Sequence, residues 1–462
     1  MENVNRIPLS RFPTVECDDE DIIAAYEWFR SYLSQSDWLK KKNTIESYLS
    51  GCLQPVDIST NIASSPRVVI EDDKMGWYLY LAYTYIYEHH KYEYFQGARI
   101  LPIFKRLGKN LELVKSIEGI DKKMRDLLRK RSSEADAILF EILTGLLWII
   151  NGWKATIIEE KQGETGKKPD FLMTKGNESW QVECKRQSKT ADYTYNETQK
   201  RLSLINEVKD LLLKNNILLD IKFHVELKSL SDTYLKDLLI DIIPTMDNEI
   251  TIVSNVEVDI KISRVDTVKI NKNLEKYYVK NHSPQLLELI AGKAVDYSSF
   301  TCGTKSVQFF LGEGNVNNSY LAEIANVFGV QCYCDAEASI NAKARDIKKQ
   351  IYSAIKQFDN KTGSIIYIGI ETFDGPEVEK ARLEKILGTM ENFNTLDNTL
   401  CWIYCHYFQS YTRSDKDWYF DETVNVVTSL INPILPIPKH FLIIPEDDIP
   451  IIEGSHWERE IP

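Results

Sequence analysis

The sequence predicts a mixed α/β protein with a helical N-terminal region, a central α/β unit and an α/β C-terminal region. Two observations predict this class. Apolar residues recur every three or four positions through the first part of the chain, as in amphipathic helices. Farther along, short apolar or alternating runs typical of strands lie between helical segments. The predicted division is 1–130, 131–300 and 301–462.

The composition is that of a globular protein with two or three domains. The chain has 462 residues, 43% apolar, 11% aromatic and 27% charged, and domains average about 100–200 residues. The longest stretch without a charge, 423–438, contains prolines and is shorter than the roughly 20 residues of a spanning helix. The N-terminus does not resemble a secretory signal, and eight cysteines do not suggest a disulfide framework. We therefore expect a cytoplasmic protein without a membrane partner.

The charge balance excludes one class of nucleic-acid-binding protein. Lysine and arginine number 56 against 68 aspartates and glutamates, which gives a net charge of -12. Such a balance argues against a protein that coats nucleic acid by bulk electrostatic attraction. A polyanion site on this chain must therefore be local, or must be assisted by a metal ion.

The N-terminal region is predicted to contain helices at 18–34, 39–53 and 73–95. The third segment is rich in tyrosine, and tyrosines on several faces of a helix more often pack between helices than stack on bases. His89 and His90 are adjacent and diverge on a helix, so we do not expect them to share a metal ion.

The central unit begins with a strongly apolar helix, predicted over 132–150 after the capping signature S-x-x-D that starts at Ser133. Glu141 is the only charged residue from 137 to 150. Its helical neighbours three and four positions away are small or apolar, so an unpaired carboxylate there would be costly. Two alternatives stay open for Glu141: it binds a cation, or it lies on a narrow solvent-exposed stripe.

A β-hairpin is predicted next, with strands near 170–174 and 180–185. If its turn consists of the two residues 176–177, antiparallel pairing joins residues whose numbers sum to 353. Asp170 then lies opposite Glu183, with Cβ atoms about 5 Å apart, which is unfavourable unless a positive group lies between them. A longer turn would shift this register.

The hairpin also places an ammonium beside the two carboxylates. Lys185 is two residues beyond Glu183 and therefore on the same face of the strand. Two carboxylates and one ammonium on a patch of sheet, near the isolated Glu141, predict a site for a hard cation with a positioned base or charge stabiliser.

The order of these residues resembles the PD-(D/E)xK superfamily of restriction-endonuclease-like nucleases. The tripeptide E-x-K is uninformative alone, since it occurs at three other places in the chain. The resemblance rests on a helical glutamate, a loop, Pro169-Asp170 opening a strand, and Glu183-Cys184-Lys185 ending one. It covers residues 134 to about 229, and the flanks are similar to uncharacterised bacterial proteins that contain this core.

The resemblance implies a restriction-endonuclease-like αβββαβ core and a metal site. Asp170, Glu183 and the carbonyl of Cys184 would bind a divalent ion, Mg²⁺ or Mn²⁺, for which hard oxygen ligands are suited. Lys185 would orient and polarise the attacking water. Glu141 would stand in for the acidic residue of the first core helix, and would bind that ion or help to recruit a second.

The function implied is that of a metal-dependent endonuclease that hydrolyses phosphodiester bonds, with DNA favoured over RNA by analogy. The same analogy implies bacterial genome defence or DNA processing, and a homodimer whose two sites cut two strands; an activating protein partner is a further expectation. The alternative is a catalytically silent nucleic-acid-binding or assembly subunit with the same fold. The intact set of Asp170, Glu183 and Lys185 favours the enzyme.

Local concentrations of positive charge are the candidate nucleic-acid-binding residues. From 104 to 131 the chain has ten lysines or arginines against four acidic residues, and further cations flank the predicted hairpin. Such patches contact phosphates with little sequence information, although a solvated helix face is an equally common role for them. The candidates are Lys122, Lys123, Arg125, Arg129, Lys130, Arg131, Lys168, Arg186 and Lys189.

The C-terminal region has strand-like runs around a helix predicted near 342–358, followed by a proline-rich tail that we expect to be extended and packed. The sequence leaves open whether this region is a separate domain or extends the central sheet. A zinc site from Cys332, Cys334, Cys401 and Cys405 is not favoured, because the spacing is unsuitable and the runs are apolar. The segment 163–168 lacks the spacing of a phosphate-binding loop.

Overall fold

A computed structural model describes most of the chain. The described residues are 6–10, 19–53, 69–158, 168–187, 192–247, 249–344, 348–359, 361–372, 374–391, 399–428, 435–437, 441–445 and 452–458. Within these ranges no helix has the length and apolar character that a membrane span requires.

The helices are most dense in the first third of the chain. Their bounds are α1 Glu20–Arg30, α2 Gln35–Gly51, α3 Lys74–Tyr87, α4 Tyr94–Lys109, α5 Leu111–Lys115, α6 Ile120–Arg129, α7 Ala135–Ile150, α8 Asp192–Asn215, α9 Tyr234–Leu239, α10 Thr267–Leu274, α11 Pro284–Ala291, α12 Glu337–Lys343, α13 Lys348–Ile355 and α14 Pro376–Glu391.

The strands follow from the end of α7 onward, apart from one short strand near the N-terminus. Their bounds are β1 Ile7–Pro8, β2 Lys154–Ile157, β3 Phe171–Lys175, β4 Glu178–Gln187, β5 Ile217–Phe223, β6 Thr251–Ser254, β7 Val258–Arg264, β8 Tyr277–Lys280, β9 Phe300–Phe310, β10 Ser319–Cys334, β11 Ser364–Glu371, β12 Leu400–Arg413 and β13 Lys416–Val427. The mixed α/β class predicted from the sequence is confirmed.

Two of the predicted N-terminal features differ in detail. The segment 73–95 forms two helices, because the Glu93 carboxylate accepts hydrogen bonds from the backbone of Gln96 and Phe95 and so caps a new helix, α4. Ser133 does not cap α7, which begins after a 3-10 turn. The aromatic run packs between helices as predicted, and Trp77 is completely buried.

A six-stranded mixed sheet contains the predicted hairpin. Its strand order is β13-β12-β11-β4-β3-β2. Strands β2, β3 and β4 form an antiparallel meander, β4 pairs in parallel with β11, and β11 in parallel with β12. The C-terminal strands therefore extend the sheet of the hairpin, which answers the question that the sequence left open.

Helices cover both faces of this sheet. Successive residues of β11 enter two different hydrophobic cores: Ile365 and Tyr367 pack with α7 and the N-terminal helices, whereas Ile366 and Ile368 pack with α13 and α14. A strand buried on both faces has a continuous apolar run, as in the sequence of β11. The described parts of the tail also pack, since Ile437 and Ile443 are buried.

A second sheet has seven strands, six of which, β5 to β10, lie between β4 and β11 in the chain, while the seventh is the N-terminal β1. Its order is β1-β8-β10-β5-β7-β6, and β9 also pairs with β10. The division predicted at residue 300 falls at the first residue of β9, inside this sheet. The distribution of strands therefore differs from that division, because β4 and β11 are neighbours in the first sheet but are separated in sequence by six strands of the second sheet.

Candidate active site

The hairpin of β3 and β4 has the predicted register. Its ladder pairs Phe171 with Val182 and ends with Lys175 opposite Glu178, so the numbers of paired residues sum to 353. Gly176 has a φ of 59° at the first turn position, a conformation that favours glycine in two-residue hairpin turns. The register is confirmed because the turn consists of two residues.

Asp170 lies one residue before this ladder and is held by the opposite strand. Its Oδ2 atom accepts a hydrogen bond of 2.8 Å from the backbone amide of Cys184. This bond fixes the carboxylate at the point where β3 begins, next to Glu183 in the opposite strand. The two carboxylates interact electrostatically, and the charge of Glu183 raises the pKa of Asp170.

Glu183 is buried in the middle of β4, with only 2% of its side chain exposed. Its Oε1 atom accepts a hydrogen bond of 2.7 Å from Nε2 of Gln357 and forms an ion pair with the Lys185 ammonium. Its Oε2 atom is buried and has no hydrogen-bond partner among the described residues. A buried carboxylate oxygen without a donor is costly, and a cation would relieve that cost.

Glu141 lies on α7 and is buried, with 8% of its side chain exposed. It forms an ion pair with Lys123 of α6. Of the two alternatives for Glu141, the structure shows the first: the carboxylate faces inward and is bound to a cation, which here is an ammonium. The solvent-exposed stripe is excluded.

The three carboxylates raise one another's pKa. Burial, followed by the charge of Asp170, raises the pKa of Glu141 to about 7. Burial, followed by the charge of Glu183, raises the pKa of Asp170 to about 7. The pKa of Glu183 is also raised, mainly by burial, although the Lys185 ammonium opposes this shift. Groups that titrate this far from their ordinary range, and that interact with one another, are typical of active sites and cation sites.

The donor set fits a hard divalent ion. Asp170 and Glu183 offer carboxylate oxygens, and the Oε2 atom of Glu183 lacks a partner among the residues described. In the part of the chain that the structure describes, no three His, Cys, Asp or Glu side chains converge closely enough to enclose a metal ion. Mg²⁺ is usually held by only one or two carboxylates, with water and substrate phosphate as its other ligands. The role of the Cys184 carbonyl as a ligand stays a prediction.

The cations predicted to bind nucleic acid lie in different environments. Lys122, Arg125, Arg129 and Lys130 are exposed on or beside α6. Arg131 pairs with Glu134 through Nη2 at 2.6 Å, and Lys168 is half-buried beside the start of β3. Lys189 lies outside the described residues.

Two of the predicted cations are not surface groups. Arg186 has only 7% of its side chain exposed and donates Nη2 to Glu371 at 2.7 Å, so its charge is used inside the protein and is not free for phosphate. Arg186 follows Lys185 in β4, so its side chain lies on the opposite face of that strand. On that face its guanidinium lies over the rings of Phe140 and Phe408. Lys123 lies in the carboxylate site itself.

Sequence reasoning did not identify Gln357 or the ion pairs of Glu371. Gln357 comes just after α13 and is 174 positions from Glu183, to which it donates. Glu371 ends β11 and binds both Arg186 and Arg99, the latter from α4. These contacts depend on the parallel pairing of β4 with β11, for which the local sequence contains no signal.

The raised pKa values predict a decline in stability between about pH 4 and pH 7. In this window Glu141 and Asp170 keep protons in the folded protein that ordinary carboxyls in the unfolded chain have already lost. The folded state then binds more protons than the unfolded state, so the free energy of unfolding falls as pH rises. Urea unfolding at a series of pH values measures this slope.

The matched comparison for this prediction is the double variant Glu141→Gln, Asp170→Asn. Removing both titrating groups should make the decline shallower than in the unmodified protein. Equal slopes in the two proteins would show that these carboxylates do not titrate in this window.

Comparison of the chain with protein-family models, with curated proteins and with solved structures returned no match. The function is therefore inferred from the geometry and chemistry of the carboxylate site.

Proposed function

We propose that this protein is a metal-dependent nuclease that hydrolyses phosphodiester bonds, with DNA as the favoured substrate. One observation supports this proposal above the others: Glu141, Asp170 and Glu183 are buried carboxylates from three separate segments that raise one another's pKa, and Glu183 is paired with the Lys185 ammonium. Buried like charges cost stability, and a site that brings them together is suited to a cation and an anionic substrate.

The order of elements supports a restriction-endonuclease-like core. The elements α7, β2, β3 and β4 are followed, after the second sheet, by α13 and then by β11 in parallel with β4. This is the order αβββαβ, with six strands of the second sheet inserted between the third strand and the second helix. The insertion accounts for the length of the chain between the hairpin and β11.

Each polar group has a role in the proposed reaction. A bound Mg²⁺ or Mn²⁺ ion would polarise the phosphate and lower the pKa of its water. Asp170 and Glu183 would hold that ion, and Gln357 fixes the carboxylate of Glu183 by its hydrogen bond. The Lys185 ammonium, which has 24% of its side chain exposed, would orient the attacking water and stabilise the negative charge that develops on the phosphate.

The decisive experiment is a cleavage assay on supercoiled plasmid, linear duplex, single-stranded DNA and RNA, each with Mg²⁺, Mn²⁺ or EDTA. We expect metal-dependent cleavage, reduced about 10²-fold in Lys185→Ala because a positioned charge stabiliser is lost. Lys175→Ala is the matched control, since Lys175 belongs to the same hairpin but is exposed near its turn.

Each other outcome of this assay has a definite meaning. Cleavage that survives unchanged in Lys185→Ala would assign the activity to another site or to a contaminant. Nucleic-acid binding without cleavage, equal in the unmodified protein and both variants, would support the alternative of a catalytically silent binding or assembly subunit. The homodimer, the activating partner and the role in genome defence or DNA processing stay predictions from the sequence resemblance.

A further inference from the structure

Lys123 differs from the other cations of α6. Its neighbours Lys122 and Arg125 are exposed. Lys123, by contrast, has only 13% of its side chain exposed and reaches the buried Glu141 of α7. Lysine is rarely buried to this degree unless it is paired, so its inward position indicates a specific role.

The contacts of Lys123 are with the carboxylate site. Its ammonium forms an ion pair with Glu141, and it also lies close enough to Asp170 to lower the pKa of that carboxyl. Lys123 belongs to the N-terminal helical region, outside the segment that resembles a nuclease core. The N-terminal region therefore supplies a charged group to the candidate active site.

The net charge of the site would allow the Lys123 ammonium to interact with an anionic substrate. With all groups ionised, the three carboxylates and the ammoniums of Lys123 and Lys185 give a net charge of -1. A bound divalent ion changes this to +1, which matches the single negative charge of one phosphodiester. If Glu141 also contributed to binding that ion, its charge would be neutralised without the ammonium, and the long flexible side chain of Lys123 could turn to another anion.

We propose that Lys123 is a second catalytic lysine, which moves from Glu141 to a non-bridging oxygen of the scissile phosphate when a divalent ion occupies the carboxylate site. This inference rests on the proposed nuclease function. Lys123 would neutralise Glu141 when no ion is bound and would stabilise charge on the phosphate when one is. Two lysines, Lys123 and Lys185, then act on one phosphate from two different elements.

The test compares Lys123→Met with Lys236→Met, a control on α9 whose side chain is exposed and which is not one of the candidate nucleic-acid-binding residues. The first readout is Mn²⁺ binding without nucleic acid, measured by calorimetry at pH 8.5, where the carboxylates with pKa near 7 are ionised. We expect Lys123→Met to bind Mn²⁺ several-fold more tightly, because the competing ammonium is gone. The second readout is the single-turnover cleavage rate, which should fall about 10²-fold. Lys236→Met should change neither quantity.

Tighter Mn²⁺ binding combined with a slower cleavage rate distinguishes a catalytic role of Lys123 from a structural one. Unchanged or weaker Mn²⁺ binding in a folded Lys123→Met would overturn the proposal, as would an unchanged cleavage rate. If Lys123→Met does not fold, Lys123→Arg decides: it keeps the charge at Glu141, so Mn²⁺ affinity should stay the same while cleavage falls, since arginine does not reproduce lysine geometry. Equal cleavage in Lys123→Arg would overturn the proposal.

The failure of this inference differs from that of the proposed nuclease function. An unmodified protein that cleaves no nucleic acid with any metal contradicts the nuclease function itself. An active protein whose Lys123 variants behave like Lys236→Met contradicts only the role of Lys123.

Discussion

Replacing Asp170 with asparagine is expected to abolish metal-dependent cleavage while leaving the protein folded. The side-chain oxygen of asparagine can still accept the hydrogen bond from the Cys184 amide, but the charge that would hold a divalent ion is lost. A metal ion contributes several kcal/mol to the stabilisation of the transition state, and each 1.36 kcal/mol is a tenfold change in rate. We therefore expect a loss of about 10³-fold in the single-turnover cleavage rate.

The stability of Asp170→Asn, unlike its cleavage rate, should not decrease. Burial and the charge of Glu183 disfavour the ionised form of Asp170. A neutral side chain at this position therefore reduces repulsion in the folded state above pH 7. The urea midpoint at pH 8 should therefore be unchanged or higher. Asp232→Asn is the control, because Asp232 is 77% exposed and pairs with Lys200 at the surface. An Asp170→Asn protein that retains a tenth of the cleavage rate would contradict the assignment of Asp170.

Replacing Glu371 with alanine is expected to cause the largest loss of stability among these changes. Its Oε1 atom is 2.7 Å from Nη2 of Arg99 and 2.7 Å from Nη2 of Arg186, and all three side chains are largely buried. Removing the one carboxylate leaves two guanidinium groups close together without that counter-charge. Breaking a buried ion pair in this way costs about 3–5 kcal/mol, measured as the change in the free energy of unfolding in urea.

A surface ion pair provides the control for Glu371. Glu112 is 86% exposed and pairs with Lys115 one helical turn away, so Glu112→Ala should change the free energy of unfolding by no more than about 0.5 kcal/mol. A similar, small effect of Glu371→Ala would show that Arg99 and Arg186 find other partners or water. In that case the ion pairs of Glu371 with Arg99 and Arg186 would not be what holds α4 against the six-stranded sheet.

The local part of the candidate site could be predicted from the sequence. The register of the hairpin depends on a two-residue turn and on alternation along two short strands, and both are visible in a few consecutive residues. The isolation of Glu141 in an apolar helix follows from helical spacing alone. These features need no knowledge of distant segments.

The remaining part depends on contacts between distant segments. The ion pair of Lys123 with Glu141 joins two helices, and the hydrogen bond of Gln357 to Glu183 spans most of the second sheet in sequence. Period-two alternation indicates a strand but does not identify its neighbour, so the position of β11 beside β4 was open. A basic run in the sequence predicts that Arg186 binds nucleic acid, but such a run does not reveal that the strand is covered on both faces and that the guanidinium is paired with Glu371.

The parallel pairing of β4 with β11 also determines when the site is completed during synthesis. Glu183 pairs with Ile366, and every residue of the second sheet must leave the ribosome before that pairing can form. Domains fold as the chain emerges, and contacts between distant segments form late. A nascent or truncated chain that ends before β11 would contain all the candidate catalytic residues but would lack the neighbouring strand of β4. The ribosome-bound chain is therefore without an assembled site until β11, which ends at residue 371 of 462, has emerged.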